Sequence, residues 1–201
     1  MKGAMMNRGA IALLCAALPA PALMAEVRPH VMDATYAEPE APKLEPGQSA
    51  PAPIPQSCKL AITGVADDRP YQSYMGNFFD QPFHPPADRA AWVKSMALGL
   101  NKRGFDVKIV DGGVAPAGYV PARLELKQGW IDYPNGGFQS LVKLRLVSQD
   151  PARPYDKVHR GSFWRTVFMA TVGGRSNESF HGAVANALDG IQDDMKAICG
   201  G

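Results

Sequence analysis

The run RLELKQGWIDYPNGGFQSLVKLRL at residues 123–146 predicts a β-hairpin at the centre of this chain. Apolar and charged residues alternate on both sides of the sequence PNGG at 134–137, which is typical of a tight turn. Strict alternation indicates strands that bury one face and leave the other in water. The hairpin therefore predicts an antiparallel sheet with one covered face.

Two helices are predicted to cover that face. The first follows Pro85 and Pro86 and ends at Gly104, which suits a left-handed helix terminus. The second runs from Phe180 to Ile198 with apolar residues at helical spacing. Further strands are expected at residues 60–65, 105–109 and 158–172. The expected class is α+β, a two-layer sandwich with a mostly antiparallel sheet of about five strands (β-α-β-β-β-β-α) and two helices on one face.

Residues 1–25 are predicted to be a secretory signal peptide. Two basic residues precede an apolar run at 9–18, and prolines and small residues follow it. The apolar run is too short to cross a bilayer as a helix, for which ~20 residues are needed. Cleavage is expected after Ala22 or Ala25. We expect an exported protein that is periplasmic or secreted, or peripheral to the outer membrane, with no transmembrane segment in the mature chain.

The charge of the chain argues against a nucleic-acid partner. Removal of the leader takes away two basic residues and no acidic one, so the formal charge of +2 falls to zero. A chain without net charge has no strong field to attract nucleic acid or anionic lipid. Charged residues make up 20% of the sequence and hydrophobic residues 46%, which also excludes a charge-rich disordered protein.

Residues 26–57 are predicted to be a disordered, proline-rich tether. They contain seven prolines, and each proline lacks a backbone N–H and restricts the residue before it. Such a segment favours extended polyproline-II conformations. Regular periodicity begins at residue 58, so residues 58–201 are expected to form a single globular domain.

Two cysteines remain after the leader is removed, Cys58 and Cys199, at the two ends of the domain. An exported chain meets an oxidising compartment, where disulfides persist. We therefore predict a structural disulfide between them. Two reduced buried thiols, or a bridge to another chain, are the alternatives.

The sequence contains no motif of a known catalytic centre. There is no G-x-S-x-G nucleophile elbow and no G-x-x-x-x-G-K phosphate loop. The four histidines are not spaced as metal ligands. We expect neither an enzyme nor a bound cofactor or metal.

The sequence DDRP at 67–70 and the aromatic loop after it are the candidate binding region. Carboxylates beside a guanidinium can hold a ligand or a partner, although a salt-bridged turn explains the same residues. The loop at 71–83 carries five aromatic residues, which indicates either an interaction surface or a lid on the core. The binding candidates are Asp68, Arg69, Tyr74 and Phe79.

Three short motifs carry a resemblance to a known group. They are VADDRP at 65–70, Met-Gly at 75–76 and LNKRGF at 100–105, followed by the meander and the terminal amphipathic helix. This pattern resembles the YajG-like lipoproteins and related small bacterial envelope domains over most of residues 58–201. The resemblance implies an envelope-facing, non-enzymatic domain.

Cys15 departs from the pattern of that group, whose members are typically lipid-anchored. A lipoprotein signal has a small residue before the cysteine, whereas Leu14 stands there in this chain. Cys15 also lies within the apolar run rather than at its end. Lipid anchoring is therefore not expected.

These observations predict a non-enzymatic accessory domain that binds an envelope protein or another envelope component. Two alternatives stay open. One is a small-ligand carrier with a cavity between sheet and helices, lined by Trp92, Met96 and Trp164. The other is a hydrolase with a carboxylate site around Asp67 and Asp68.

Overall fold

The structure is a computed structural model that describes residues 29–40, 52–110, 112–167 and 172–200. The predicted signal peptide at 1–25 lies outside the described residues. The part of the chain that is described has the predicted α+β class, and its elements follow the predicted order apart from three additional short strands.

The elements are numbered here in chain order. They are β1 (His30–Val31), β2 (Cys58–Asp67), β3 (Asn77–Phe78), β4 (Gln81–His84), α1 (Arg89–Leu98), β5 (Phe105–Ile109), β6 (Val120–Asp132), β7 (Gly137–Ser148), β8 (Asp156–Thr166), α2 (Val172–Asp193) and α3 (Met195–Cys199). A 3-10 helix, Gly99–Arg103, extends α1 and ends at Gly104, whose φ of 83° is the predicted left-handed terminus.

Five strands form the main sheet in the order β5-β2-β6-β7-β8. The hairpin of β6 and β7 is antiparallel as predicted, and β8 pairs antiparallel with β7. The sheet is mixed rather than mostly antiparallel, because β2 runs parallel to both of its neighbours. Parallel pairing of β2 with β5 arises because α1 lies between them in the chain and allows the chain to return in the same direction.

The two main helices cover one face of this sheet, as predicted. α1 packs against β2, and α2 packs against β7 and β8. Trp92 of α1 stacks on Phe180 of α2 with ring centroids 5.2 Å apart. Both side chains are fully buried, as are Leu124 of β6 and Leu144 of β7. The core therefore lies between the helices and one face of the sheet.

α2 begins earlier than its sequence spacing predicts, and β8 is shorter than predicted. The single helix predicted to reach Ile198 is divided: α2 ends at Asp193 and α3 forms the rest. β8 ends at Thr166, and α2 has begun by Val172. Ser176 and Ser179 are buried and continue the packed face of the helix towards its start, which explains the extra turns. No helix in the described part of the chain is both long and apolar enough to cross a membrane.

A disulfide joins the start of β2 to the end of α3. The Cα atoms of Cys58 and Cys199 are 5.7 Å apart, although 141 positions separate them in the chain. Cys58 is buried, so the bond lies at the edge of the core. The structure thus contains the pairing that the sequence predicts.

Part of the predicted tether is folded onto the domain. Residues 29–40, called the strap below, contribute β1, which pairs with β4 and completes a three-stranded sheet with β3. Met32 and Tyr36 of the strap are buried. The prediction of a disordered tether does not hold for the strap, because apolar contacts and strand pairing outweigh the effect of its few prolines.

A buried arginine fastens the strap to the helices. Arg103 donates hydrogen bonds of 2.9 Å to both carboxylate oxygens of Glu38 and one of 2.6 Å to Asp189. Tyr36 donates to the same Glu38 carboxylate at 2.7 Å. Burial alone would raise the pKa of Glu38, but the hydrogen bonds from Arg103 and Tyr36 outweigh it and hold that pKa below its usual range.

We expect Glu38→Gln to lower the free energy of unfolding by about 2 kcal/mol at neutral pH, because hydrogen bonds to charged partners contribute about 1.5–3 kcal/mol. The pKa of Glu38 is lower in the folded than in the unfolded state. Its stabilisation is therefore complete above the unfolded pKa and is lost as the pH falls through the folded pKa. Urea unfolding at about pH 7 and about pH 3 measures this effect.

The control for this substitution is Glu40→Gln, two residues along the strap. Glu40 is exposed and has no ion pair with any residue that the structure describes. We expect this control to unfold like the wild type at both pH values. A stability difference between wild type and Glu38→Gln that stays constant with pH would contradict the role given to the carboxylate.

Candidate binding site

The candidate site forms where β2 stops and its neighbour β6 continues. β2 ends at Asp67, opposite Leu126 of β6. The chain then turns away and meets β6 again at Gly76, which bridges to Ile131. A bulge between Leu126 and Gln128 distorts β6 at the same place. The result is a hollow between the loop after β2 and the edge of β6.

This Arg69 hollow has a volume of about 300 Å³. Three basic side chains, three aromatic side chains and a glutamine line it, together with a proline and a glycine. The lining residues are Arg69, Pro70, Tyr71, Tyr74, Lys127, Gln128, Gly129, Trp130 and Lys143. Aromatic walls with a few polar groups are typical of ligand sites.

Arg69 is the buried member of the hollow, with 2% of its side chain exposed. Its Nε and Nη2 atoms donate to the two carboxylate oxygens of Asp67 at 2.7 Å, and Nη2 also donates to the Gln72 carbonyl at 3.3 Å. The guanidinium lies 5.5 Å from the centroid of the Trp92 ring. The Nη1 atom is buried and has no hydrogen-bond partner within the described residues.

The other side chains of the hollow are half-buried or exposed. Tyr74 meets Trp130 edge to face, with ring centroids 5.4 Å apart. Lys127 donates to Asp68 at 3.3 Å and to Glu125 at 3.4 Å, so two carboxylates share its charge. Lys143 forms no ion pair with any residue that the structure describes. The hollow therefore keeps an uncompensated positive charge.

A second hollow, of about 450 Å³, adjoins the first at Gln128 and Lys143. Leu141, Arg160 and Ser162 line it on the face of the sheet that the helices leave uncovered. Leu141 is 41% exposed. The uncovered face thus combines apolar and basic side chains next to the Arg69 hollow.

An ion-pair network borders the same face. Glu125 of β6 is buried and accepts from Arg145 at 3.1 Å, and it also pairs with Arg123 at 3.2 Å. Arg145 binds Asp156 through two further hydrogen bonds, which hold the pKa of Asp156 below its usual range. These ion pairs fix the orientation of the charged side chains around Glu125. They therefore stabilise the sheet and do not form part of the Arg69 hollow.

Three of the four binding candidates meet at the Arg69 hollow. Arg69 and Tyr74 line it, and Asp68 contacts it through Lys127. Phe79 does not line it. Lys143, which does, is not among the sequence candidates, although its alternation with apolar residues in β7 places it on the water-facing side.

The aromatic loop at 71–83 is partly core and partly surface. Met75 and Phe83 are fully buried, whereas Tyr71 and Phe79 are 68% and 73% exposed. Phe79 has a φ of 51° in the tight turn between β3 and β4, and its ring contacts Tyr133. The loop is therefore neither a lid nor a continuous interaction surface.

The geometry removes the support for the two alternative functions. Both carboxylate oxygens of Asp67 bind Arg69, which is the salt-bridged turn rather than an acid–base pair with Asp68. Trp92 and Met96 are buried under the helices, but Trp164 is 42% exposed on the other face of the sheet. These three side chains do not line one cavity.

A partly buried polar cluster of residues that are distant in the chain has no signal in the sequence. Tyr155 donates to Asp194 at 3.0 Å and lies 2.6 Å from Nε2 of His159, and Lys157 also donates to Asp194 at 2.9 Å. Burial raises the pKa of Tyr155 and lowers that of His159, so the two groups stay uncharged. The cluster ties the end of α2 to β8. Asp194 looks solvent-exposed in sequence because its partners are far away in the chain.

The described residues contain no group of three or more histidine, cysteine or carboxylate side chains placed to hold a metal ion. The Arg69 hollow is lined by hydrogen-bond donors and aromatic rings rather than by metal-ligating side chains.

No family model matches the chain, and no curated protein matches it. Several solved structures are similar to this chain, and three of them follow. A protein of the family DUF330 from Xanthomonas campestris has a TM-score of 0.45 and 8% identity, over 85% of this chain and 96% of that one. A minor lipoprotein from Acinetobacter baumannii has a TM-score of 0.36 and 9% identity, over 69% and 93%. A dodecamer of a PelC variant from Paraburkholderia phytofirmans has a TM-score of 0.31 and 17% identity, over 70% and 95%. At these values the similarities show no family for this chain, and membership of the YajG-like group stays a prediction.

Proposed function

We propose that this chain is a non-enzymatic binding domain of the bacterial envelope and that its partner binds at the Arg69 hollow. The partner is an envelope protein or another envelope component. In this proposal the domain acts by holding that partner and carries out no reaction on it.

Two features support an exported location. The sequence begins with the pattern of a secretory signal peptide. A disulfide joins Cys58 to Cys199, and such bonds persist in oxidising compartments.

The observation that carries the binding proposal is the uncovered side of the sheet. Trp130, Leu141 and Lys143 lie there beside a buried guanidinium with an unpartnered donor. Trp130 and Leu141 are paired across β6 and β7, and neighbouring exposed apolar side chains rimmed by polar residues are typical of interaction sites.

Site-specific photo-crosslinking in cells tests the proposal. We expect a photoreactive residue at Leu141 to give an adduct of defined mass, and Lys143→Glu in the same chain to abolish it, because the charge of the hollow is reversed. Mass spectrometry of the adduct identifies the partner.

Val114 provides the matched control position. It is 93% exposed and lines a separate surface near Tyr119. We expect no adduct of the same mass from this position. Equal adducts from Leu141 and Val114, or an adduct from Leu141 that survives Lys143→Glu, would overturn the proposed site.

A further inference from the structure

We infer that the Arg69 hollow binds one oxyanion, a carboxylate or phosphate group, that is attached to a ring. The inference rests on the proposed function and names the chemical class of its ligand. Three independent features of the hollow lead to it: a buried donor, an unneutralised charge and an aromatic wall.

The donor is the Nη1 group of Arg69. The other atoms of this guanidinium are bound by Asp67 and Gln72, whereas Nη1 is buried without a partner in the part of the chain that is described. A buried N–H group without a partner is costly and rare in native proteins. Arg69 lines the hollow, so a ligand oxygen that reaches Nη1 would supply that partner, and an oxyanion forms the strongest bond to a guanidinium.

The charge comes from Lys143. The carboxylate of Asp67 is neutralised by Arg69 and has Arg89 at 3.9 Å, and Lys127 is shared between two carboxylates. Lys143 has no acidic partner among the described residues and lines both hollows. An incoming oxyanion therefore meets a positive charge that no neighbouring carboxylate cancels.

The aromatic wall is formed by Tyr71, Tyr74 and Trp130. The rings of Tyr74 and Trp130 are in edge-to-face contact, and Tyr71 is 68% exposed. Rings in offset or edge-to-face contact gain energy beyond simple burial. A volume of about 300 Å³ accepts a single ring with its charged group.

Side-chain NMR of the mature chain tests the inference directly at Arg69. The probes are phenyl phosphate, 4-hydroxybenzoate and glucuronate, with phenol and methyl glucoside as neutral counterparts. We expect an anionic probe to shift the Arg69 Nε–H and Trp130 indole N–H resonances in a saturable manner, whereas its neutral counterpart binds about tenfold more weakly or not at all.

Two charge-matched variants show whether the effect is local. We expect Lys143→Gln to weaken probe binding about tenfold. Lys196→Gln removes the same charge from α3, where the residue is exposed near the disulfide at the opposite end of β2, and should leave binding unchanged. Equal weakening by both variants would mean a general charge effect and would overturn the inference.

The probes also distinguish the two oxyanions. Binding of carboxylates only, of phenyl phosphate only, or of both supports the inference and identifies the group. The absence of any saturable shift at Arg69 with all three anionic probes overturns it.

Failure of this inference is separable from failure of the proposed function. If the probes do not bind but the crosslink at Leu141 depends on Lys143, the binding site stands and the ligand class is wrong. If the probes bind while the crosslink is insensitive to Lys143→Glu, the anion site stands and the proposed partner site is wrong.

Discussion

Loss of the Cys58–Cys199 disulfide is expected to reduce the free energy of unfolding by about 5 kcal/mol. The bond closes a loop of 141 positions, and the chain-entropy model assigns roughly this amount to so long a loop. A total stability of about 5–15 kcal/mol is usual for a folded domain. The bond therefore accounts for a large part of what keeps this domain folded.

Urea unfolding of the double variant Cys58→Ala/Cys199→Ala measures this loss. The wild type in the presence of a reductant is the matched control, because it keeps both sulfur atoms and lacks only the covalent link. We expect both samples to unfold at a much lower urea concentration than the oxidised wild type. Equal midpoints for the oxidised and reduced wild type would show that the link contributes nothing to stability.

Gly161→Ala is expected to cost about 3 kcal/mol, because the change forces a helix away from the sheet. Gly161 lies in β8 directly beneath α2. A Cβ atom there would overlap the carbonyl oxygen of Ala183 and lie 2.6 Å from the backbone N of Ala187. Both contacts are with backbone atoms, so no side chain can rotate out of the way.

Gly64→Ala is the matched control for that substitution, since Gly64 also lies in a strand of the main sheet. The nearest atom to its added Cβ is the Arg123 Cγ at 3.8 Å, an ordinary contact. We expect a change within about 1 kcal/mol, in the stabilising direction if the unfolded chain loses entropy. Similar urea midpoints for the two variants would contradict the close approach of α2 to β8.

The fold class could be predicted because its signals are local. The alternation around the PNGG turn at 134–137 predicts the hairpin of β6 and β7, and the spacing from Phe180 onwards predicts α2. Both patterns describe which face of an element is apolar. Gly104 likewise ends the first helix where the sequence places its terminus.

The strap and the parallel pairing of β2 could not be predicted in the same way. Tyr36 and Glu38 are held by Ser95 of α1 and Arg103 of the 3-10 helix, which lie 59 or more residues away in the chain. The strap lacks a regular apolar period, and its prolines and acidic residues are of the kind found in disordered segments. Strand direction depends on how α1 crosses between β2 and β5, and periodicity carries no information about direction.

The residues of the candidate site likewise include some that could be predicted from the sequence and some that could not. Arg69 and Tyr74 stand out in the sequence because DDRP is followed by an unusually aromatic loop. Lys143 does not stand out, because charged residues alternate with apolar residues along several strands. Phe79 stands out equally in sequence, yet the turn between β3 and β4 carries it away from the hollow.

The amino-acid sequence by itself determined the α+β class, the two helices that cover the sheet and the two cysteines that can bridge its ends. It did so because hydrophobic periodicity and residue chemistry act over a few positions. Only the tertiary structure decided that β2 stops short of the end of β6, which opens the hollow and leaves Nη1 of Arg69 buried without a partner. The reason is that the hollow forms between segments that are far apart in the chain, and only tertiary packing sets the distance between those segments.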